Sequence, residues 1–322
     1  MKAKWTILYS FRRLPFLALL LIAALFSPQT TFSQGTPWIA EPRTGSISLS
    51  YFNQNAKEFW RGDQTVKGPL EATGASLGQN TVWINVNYAL GDAIAVDLQT
   101  AWAQSYVDGA VGPSGGEENY SGLFDTNVSL TYRLIDELVS NNAPSIAGRV
   151  GFTIPGGYDT GYINSLGDGA SGFEASIIVG KFFSVVGASG EVGLRVRGST
   201  SVNSNAVGAG ANSDDVDVPN EIFLNFSVYV PLGNRLRVDG IFSSVNATSG
   251  IDIGGEGFSP SRFPSLEEDR SILGGRLFAD LFGSVSANLF FGSVVGGRNT
   301  AKSTVIGGGL SVGLGGGFGG GL

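Results

Sequence analysis

The feature that most constrains this chain is a two-residue alternation, recurring in segments of about ten residues between positions 44 and 314. In NTVWINVNYAL, Val82, Ile84, Val86 and Tyr88 share one parity while Asn85 and Asn87 share the other. In DAIAVDLQTAW, Ile94, Val96, Leu98 and Trp102 oppose Asp97 and Gln99. Phe124, Val128, Leu130 and Tyr132 stand against Asp125, Asn127 and Arg133, and Val192, Leu194 and Val196 against Glu191, Arg195 and Arg197. Ile222, Leu224, Phe226 and Val228 oppose Glu221 and Asn225; Leu236, Val238 and Phe242 oppose Arg235, Arg237 and Asp239. Successive side chains of a strand point to opposite faces, so each segment predicts a strand with one apolar and one polar face.

Twelve such strands are predicted, at 44–52, 80–90, 93–106, 121–133, 145–154, 173–183, 188–199, 220–230, 235–246, 269–279, 284–294 and 302–314. An even number of strands, each long enough to cross a bilayer at a tilt, predicts an all-β fold: a single transmembrane antiparallel up-and-down β-barrel. The connections sort as such barrels require, with long loops on one side (53–79, 107–120, 155–172, 200–219, 247–268). The other side has the short turns 91–92, 184–187, 231–234 and 280–283 and the intermediate 134–144. Only 295–300 departs from that order. Tyr51, Trp102, Tyr106 and Phe242 fall near outer strand ends and Tyr88 and Tyr132 near inner ends, where interfacial aromatics belong. Trp83 has lumen parity, and Lys181 has lipid parity close enough to a strand end for its amine to reach water.

Lys2, Lys4, Arg12 and Arg13 precede an apolar run from Leu14 to Phe26, followed by SPQTTFSQ, which reads as a secretory signal peptide cleaved after Ser33. The apolar run is shorter than the roughly 20 residues a spanning helix needs. The expected organisation is therefore a signal peptide, 1–33, and one barrel domain, 34–322. Processing removes four basic residues and no acidic ones, leaving 16 Lys and Arg against 27 Asp and Glu. That acidic balance argues against a nucleic-acid partner. Cys and His are both absent, which excludes disulfides, Ser-His-Asp and Cys-His catalysis, and His-ligated zinc or iron.

The interior parity collects Asp97, Gln99, Asp125, Asn127, Arg133, Arg149, Glu174, Glu191, Arg195, Arg197, Glu221, Asn225, Arg235, Arg237, Asp239, Arg276 and Asn288. They line a narrow polar conduit or, alternatively, pair across a small lumen and plug it. The acidic loop Asp214, Asp215, Asp217 lacks the spacing of an EF-hand and reads as solvated, as do Glu267, Glu268 and Asp269. GDGASG, residues 167–172, matches the Gly-x-Gly-x-x-Gly fingerprint. About one match is expected by chance in a chain this rich in glycine, and an alternating segment follows it rather than a helix. No catalytic residue, cofactor or metal is expected.

From Ser121 the chain reads SGLFDTNVSLTYRLIDE, then APSIAGRVGFTIPGGYDTGYINSLGDGASGFEASIIVGKFF, then PNEIFLNFSVYVPLGNRLRVDGIFSS. These stretches resemble the outer-membrane barrel family annotated for a MetA-type pathway of phenol degradation, itself similar to FadL-type transporters of hydrophobic compounds. The resemblance implies passive uptake of small hydrophobic or aromatic solutes through the outer membrane. The partners would be outer-membrane lipid, lipopolysaccharide and the barrel-assembly machinery. A structural or surface-interaction barrel with a plugged lumen is the alternative. Two departures stand out: the segment before the first strand is shorter than a FadL-type plug, and the chain runs past Phe318 with Gly-Gly-Gly-Leu.

Overall fold

The computed structural model describes residues 35–66, 76–108, 118–140, 143–161, 164–202 and 215–315. The expected signal peptide and the residues after 315 lie outside that set. Twelve long strands form the wall: β1 Gly45–Arg61, β2 Ser76–Ala89, β3 Ile94–Asp108, β4 Thr126–Ile135, β5 Ser145–Ile154, β6 Gly172–Phe183, β7 Val186–Arg197, β8 Glu221–Pro231, β9 Leu236–Ala247, β10 Asp269–Phe282, β11 Val285–Arg298 and β12 Ala301–Leu314. Each pairs antiparallel with its neighbours in sequence. β1 returns to β12 from Gly45 opposite Leu314 to Phe59 opposite Ala301, so the sheet closes into a twelve-stranded barrel. Closure matters because a sheet edge in hydrocarbon would leave a row of N–H and C=O groups unmet.

The alternation read from the sequence becomes the two faces of the wall. Ile84, Trp102, Val128, Ile177, Leu194, Leu224, Phe291 and Ile306 are exposed on the outside, while Ser50, Ser129, Ser176, Ser227 and Ser303 are buried inside. An apolar exterior this continuous has no place in water and fits a bilayer. At one end the strands are joined tightly: Gly283 (φ 56°) stands in the turn between β10 and β11, and Gly233 (φ 85°) in that between β8 and β9. Such left-handed conformations suit glycine.

Three differences from the expected elements have physical reasons. β1 runs to Arg61 rather than residue 52. Its extension, NQNAKEFWR, mixes polar and apolar residues on both parities, with Asn53, Asn55, Lys57 and Phe59 on one and Gln54, Ala56, Glu58 and Trp60 on the other, so it carries no alternation to be read. The expected fourth strand is broken. Residues Glu118–Leu123 pair with β3 opposite Trp102–Val107, and Thr126–Ile135 pair with it opposite Ile94–Gln99. The break at Phe124 and Asp125 reverses parity, so Leu123 is exposed outside whereas Phe124 turns inward against Trp83, at 5.2 Å between ring centroids. Finally, β11 and β12 reach so far outward that Asn299 and Thr300 alone connect them, which accounts for the short outer loop.

Inside the wall, Phe52, Trp83, Ala101, Ile241, Phe290 and Val305 form an apolar cluster from β1, β2, β3, β9, β11 and β12. Glycines make room for its rings. A Cβ on Gly274 or Gly292 would stand 2.8 or 2.7 Å from the ring of Phe290, and one on Gly307 would collide with Phe52.

Candidate functional site: the lumen and its outer cavity

Opposite the apolar cluster, β4 to β8 carry the charges. Register explains their pairing: Glu174 on β6 faces Arg195 on β7, and Arg195 faces Glu221 on β8. Arg195 accordingly bridges Glu174 at 3.2 Å and Glu221 at 2.5 Å, and Arg197 bridges Glu221 at 3.0 Å and Asp168 at 2.7 Å. Arg149 lies 3.0 Å from Glu174 and 3.3 Å from Glu191 and donates to Ser129 and Asn127. Glu191 also accepts from Ser176 (2.7 Å) and Asn225 (3.0 Å), the latter opposite it in register. Nearer the short-turn end, Asp239 is fully buried between Arg237 and Arg276, with the Arg237 guanidinium over the rings of Tyr229 and Phe278.

The remaining predicted residues divide. Asp97 accepts from Asn87 at 2.6 Å, Gln99 donates to Asn85 at 2.8 Å, and Asn288 is buried on the inner face. Arg133 sits at the inner rim, donating to the Asp92 carbonyl and pairing with Asp136. Arg235 stands apart from the interior set, exposed in the turn between β8 and β9. Interior parity continued into a turn no longer denotes a face.

Above the ionic wall, in the half of the barrel that bears the long loops, is a cavity of about 410 Å³. Trp83, Phe124, Phe223, Ile272 and Val305 supply its apolar wall; Asp125, Arg195, Arg197 and Glu221 supply the polar one. Leu166, Val218, Phe263 and Leu266 reach it from the outer loops. Two anchors hold those loops. One oxygen of Asp125 accepts from the Gly156 N–H at 3.0 Å and from the Tyr158 hydroxyl at 2.6 Å, and the Tyr158 oxygen accepts from the Gly169 N–H at 3.0 Å. Burial, and then the Asp125 carboxylate, push the Tyr158 phenol far above its ordinary range, so it remains a donor. Asn299, 2% exposed, accepts from the N–H groups of Gly62 and Ile253 and donates to Asp252 and to the carbonyls of Ile251 and Glu267. It pins residues 248–268, whose short 3-10 turn Pro260–Ser265 brings Phe263 over the cavity.

The segment before β1 packs inside the short-turn end. The Gly35 N–H donates to Glu191 at 3.0 Å, Pro37 is buried, and the Trp38 indole N–H donates to Glu137 at 2.8 Å with its ring 4.6 Å from Phe182. Glu137 accepts from the Phe182 N–H as well, at 3.1 Å. The segment is as short as its sequence implied, yet it occupies the lumen.

No family model matches the sequence, and no curated protein matches it. Solved structures do. The crystal structure of the COG4313 outer membrane channel from Pseudomonas putida F1 aligns with a TM-score of 0.66 at 12% identity, covering 88% of this chain and all of that one. The fold is that of an outer-membrane β-barrel. Two further matches have lower TM-scores: 0.47 for the translocator domain of the autotransporter NalP from Neisseria meningitidis, at 10% identity over 96% of each chain, and 0.42 for a mutant of the TodX monoaromatic hydrocarbon channel, at 11% identity over 87% of this chain and 93% of that one. At these identities the likeness is one of architecture.

GDGASG is the end of an outer loop that runs straight into β6, with Gly169 at φ 71° and Asp168 on Arg197. In the acidic loop, Asp215 accepts from Ser201 in a two-stranded ribbon formed by Ser199–Ser201 and Asp215–Asp217, while Asp214 lies outside the described residues. Among the described residues no three acidic groups converge as a metal site would require. Parity located most of the inward charges. It did not find Gly35–Trp38, Phe124, Tyr158 or Asn299, which act through breaks and loops where parity has no meaning.

Proposed function

We propose that the chain is a passive outer-membrane channel for small hydrophobic or aromatic compounds, exported with cleavage after Ser33 and inserted among lipopolysaccharide by the barrel-assembly machinery. One observation carries this reading: a cavity with an apolar wall adjoins a stretch of wall that lacks a ladder on one side. Residues Glu118–Leu123 pair with β3 alone. Their other flank is met by the loop after β5, where a Cβ on Gly122 would stand 2.7 Å from the Gly157 carbonyl. The contact is held by side-chain bonds to Asp125 rather than by strand pairing. A solute dissolved in the lipid or arriving from outside thus meets a seam that opens at the cost of a few hydrogen bonds. The inward charges named above are the polar lining of the route, and no catalytic role is assigned to any of them.

The alternative of a structural barrel draws on the bridging ion pairs and on the Gly35–Trp38 segment, which together obstruct the axis. Uptake distinguishes the two. Cells carrying the gene should accumulate a radiolabelled aromatic hydrocarbon faster than deletion cells, while proteoliposomes stay closed to sugars. Equal hydrocarbon accumulation together with altered envelope integrity would establish the structural barrel instead.

A further inference from the structure

We propose that the cavity takes an aromatic zwitterion, a solute of the apolar α-amino acid kind, with its carboxylate on Arg270 and its ammonium on Glu268. The inference rests on the channel reading above and names the solute class for this cavity.

Arg270 is the second residue of β10, on the same face as Ile272, and Glu268 directly precedes that strand. Both line the cavity and both keep accessible surface, Arg270 being half-buried and Glu268 exposed. Pairing sets them apart from the other charges of the lining. Arg195 is held by Glu174 and Glu221, and Arg197 by Glu221 and Asp168. Asp125 is engaged by the Gly156 N–H and the Tyr158 hydroxyl. Among the described residues the Arg270 guanidinium has neither a hydrogen bond nor an ion pair, and the Glu268 carboxylate has no ion pair and accepts only from the Thr300 hydroxyl, at 2.8 Å.

Two unmatched charges of opposite sign therefore face one cavity. Extended chain sets residues two apart at about 6.6 Å, a spacing that a single small solute can bridge through both side chains. The wall around them is apolar: Val245 stands opposite Arg270 in register, and Ile272, Phe263 and Leu266 also line the cavity. A hydrocarbon alone would strip water from both charges and give nothing in return. An anion alone would also meet Glu268, and a cation alone Arg270, a like charge in each case. A solute with both signs answers both, and the planar fork of a guanidinium suits a carboxylate in particular. The lining holds three arginines, Arg195, Arg197 and Arg270, against the four carboxylates Asp125, Asp168, Glu221 and Glu268, a near balance that favours a solute without net charge over either ion.

The test uses the full barrel in lipid nanodiscs, with empty nanodiscs as background, and titrations followed by saturation-transfer NMR. The probes are phenylalanine, hydrocinnamate, which lacks the ammonium, phenethylamine, which lacks the carboxylate, and ethylbenzene, which lacks both. Wild type should bind phenylalanine more tightly than either singly charged probe. Arg270→Gln should weaken phenylalanine and hydrocinnamate about tenfold and spare phenethylamine, whereas Glu268→Gln should weaken phenylalanine and phenethylamine by a similar factor and spare hydrocinnamate. Variants that weaken all three charged probes alike, or none, overturn the inference, as does an effect of Arg270→Gln without one of Glu268→Gln, which would mark a plain anion site; binding of ethylbenzene in those cases leaves the channel reading standing. If neither phenylalanine nor ethylbenzene binds wild type above background, both readings fail. Should a variant not fold, the wild-type ranking decides: phenylalanine held no more tightly than hydrocinnamate or phenethylamine overturns the proposal.

Discussion

Replacing Arg149 with leucine tests whether the ionic wall is a dry internal network or a solvated lining. The guanidinium is 5% exposed, and its two partners, Glu174 and Glu191, are 2% and 1% exposed at the side chain. Removing one member of a buried pair costs about 3–5 kcal/mol, because the other charge is left uncompensated. Here the residue environment moderates that figure. Glu174 keeps Arg195 at 3.2 Å, and Glu191 keeps its bonds from Ser176, Asn225 and Gly35. The low end, about 3 kcal/mol, is therefore expected for Arg149→Leu. Adding Glu191→Gln deletes the orphaned charge while retaining an amide that can accept from Asn225, and should recover about 2 kcal/mol of it. Both are measured by urea unfolding of the protein refolded into lipid vesicles, followed by tryptophan fluorescence. A loss below about 1 kcal/mol in Arg149→Leu, with no recovery in the double variant, would mean that the pair behaves as a surface salt bridge. The lumen would then be water-filled at that level, and the reading of these ion pairs as a dry internal network would be wrong.

Three further outcomes follow from the anchors. Glu137→Ala removes the acceptor of both Trp38 and Phe182, so the Gly35–Trp38 segment should loosen and single-channel conductance in planar bilayers should rise; an unchanged conductance would show that the segment does not close the axis. Asn299→Ala strips the acceptor from the Gly62 and Ile253 N–H groups, at about 1 kcal/mol each, so hydrogen-exchange protection at each of those two amides should fall about fivefold while that of β5 to β7 is unaffected. Hydrogen bonds from Arg298 and Asn299 hold the Asp252 carboxyl below its ordinary value. A depressed folded value means that the anchorage is complete above the ordinary carboxylate range and is lost as pH falls through the depressed one. Protease cleavage within 248–268 should accordingly be constant from pH 7 to about pH 4 and increase below it.

The wall was legible because hydrocarbon outside and polar groups inside impose a period of two, and that period survives in the sequence wherever a strand crosses the membrane. It ceases at Asn53, beyond which polar residues fall on both parities of β1, and reverses at Phe124, where a break passes an aromatic from the outer face to the inner. Parity also says which residues share the lumen without saying which of them touch. Glu174, Arg195 and Glu221 form a chain only because the turn Ser184–Val185 and the longer loop 198–220 set β6, β7 and β8 in a register that puts the three opposite one another. A shift of two residues would preserve every inward face and break each of those pairs. The same reasoning explains why the proposed route was hidden. A seam is made where pairing stops, and the residues that hold it, Asp125, Gly156 and Tyr158, are joined by bonds between a broken strand and a loop 31 to 33 positions away. What separates a channel from a plain barrel therefore lies at the interruptions of the pattern, and the cavity beside Trp83 is bounded by two of them: the break at Phe124 and the loops that Asp125 and Asn299 fold over it.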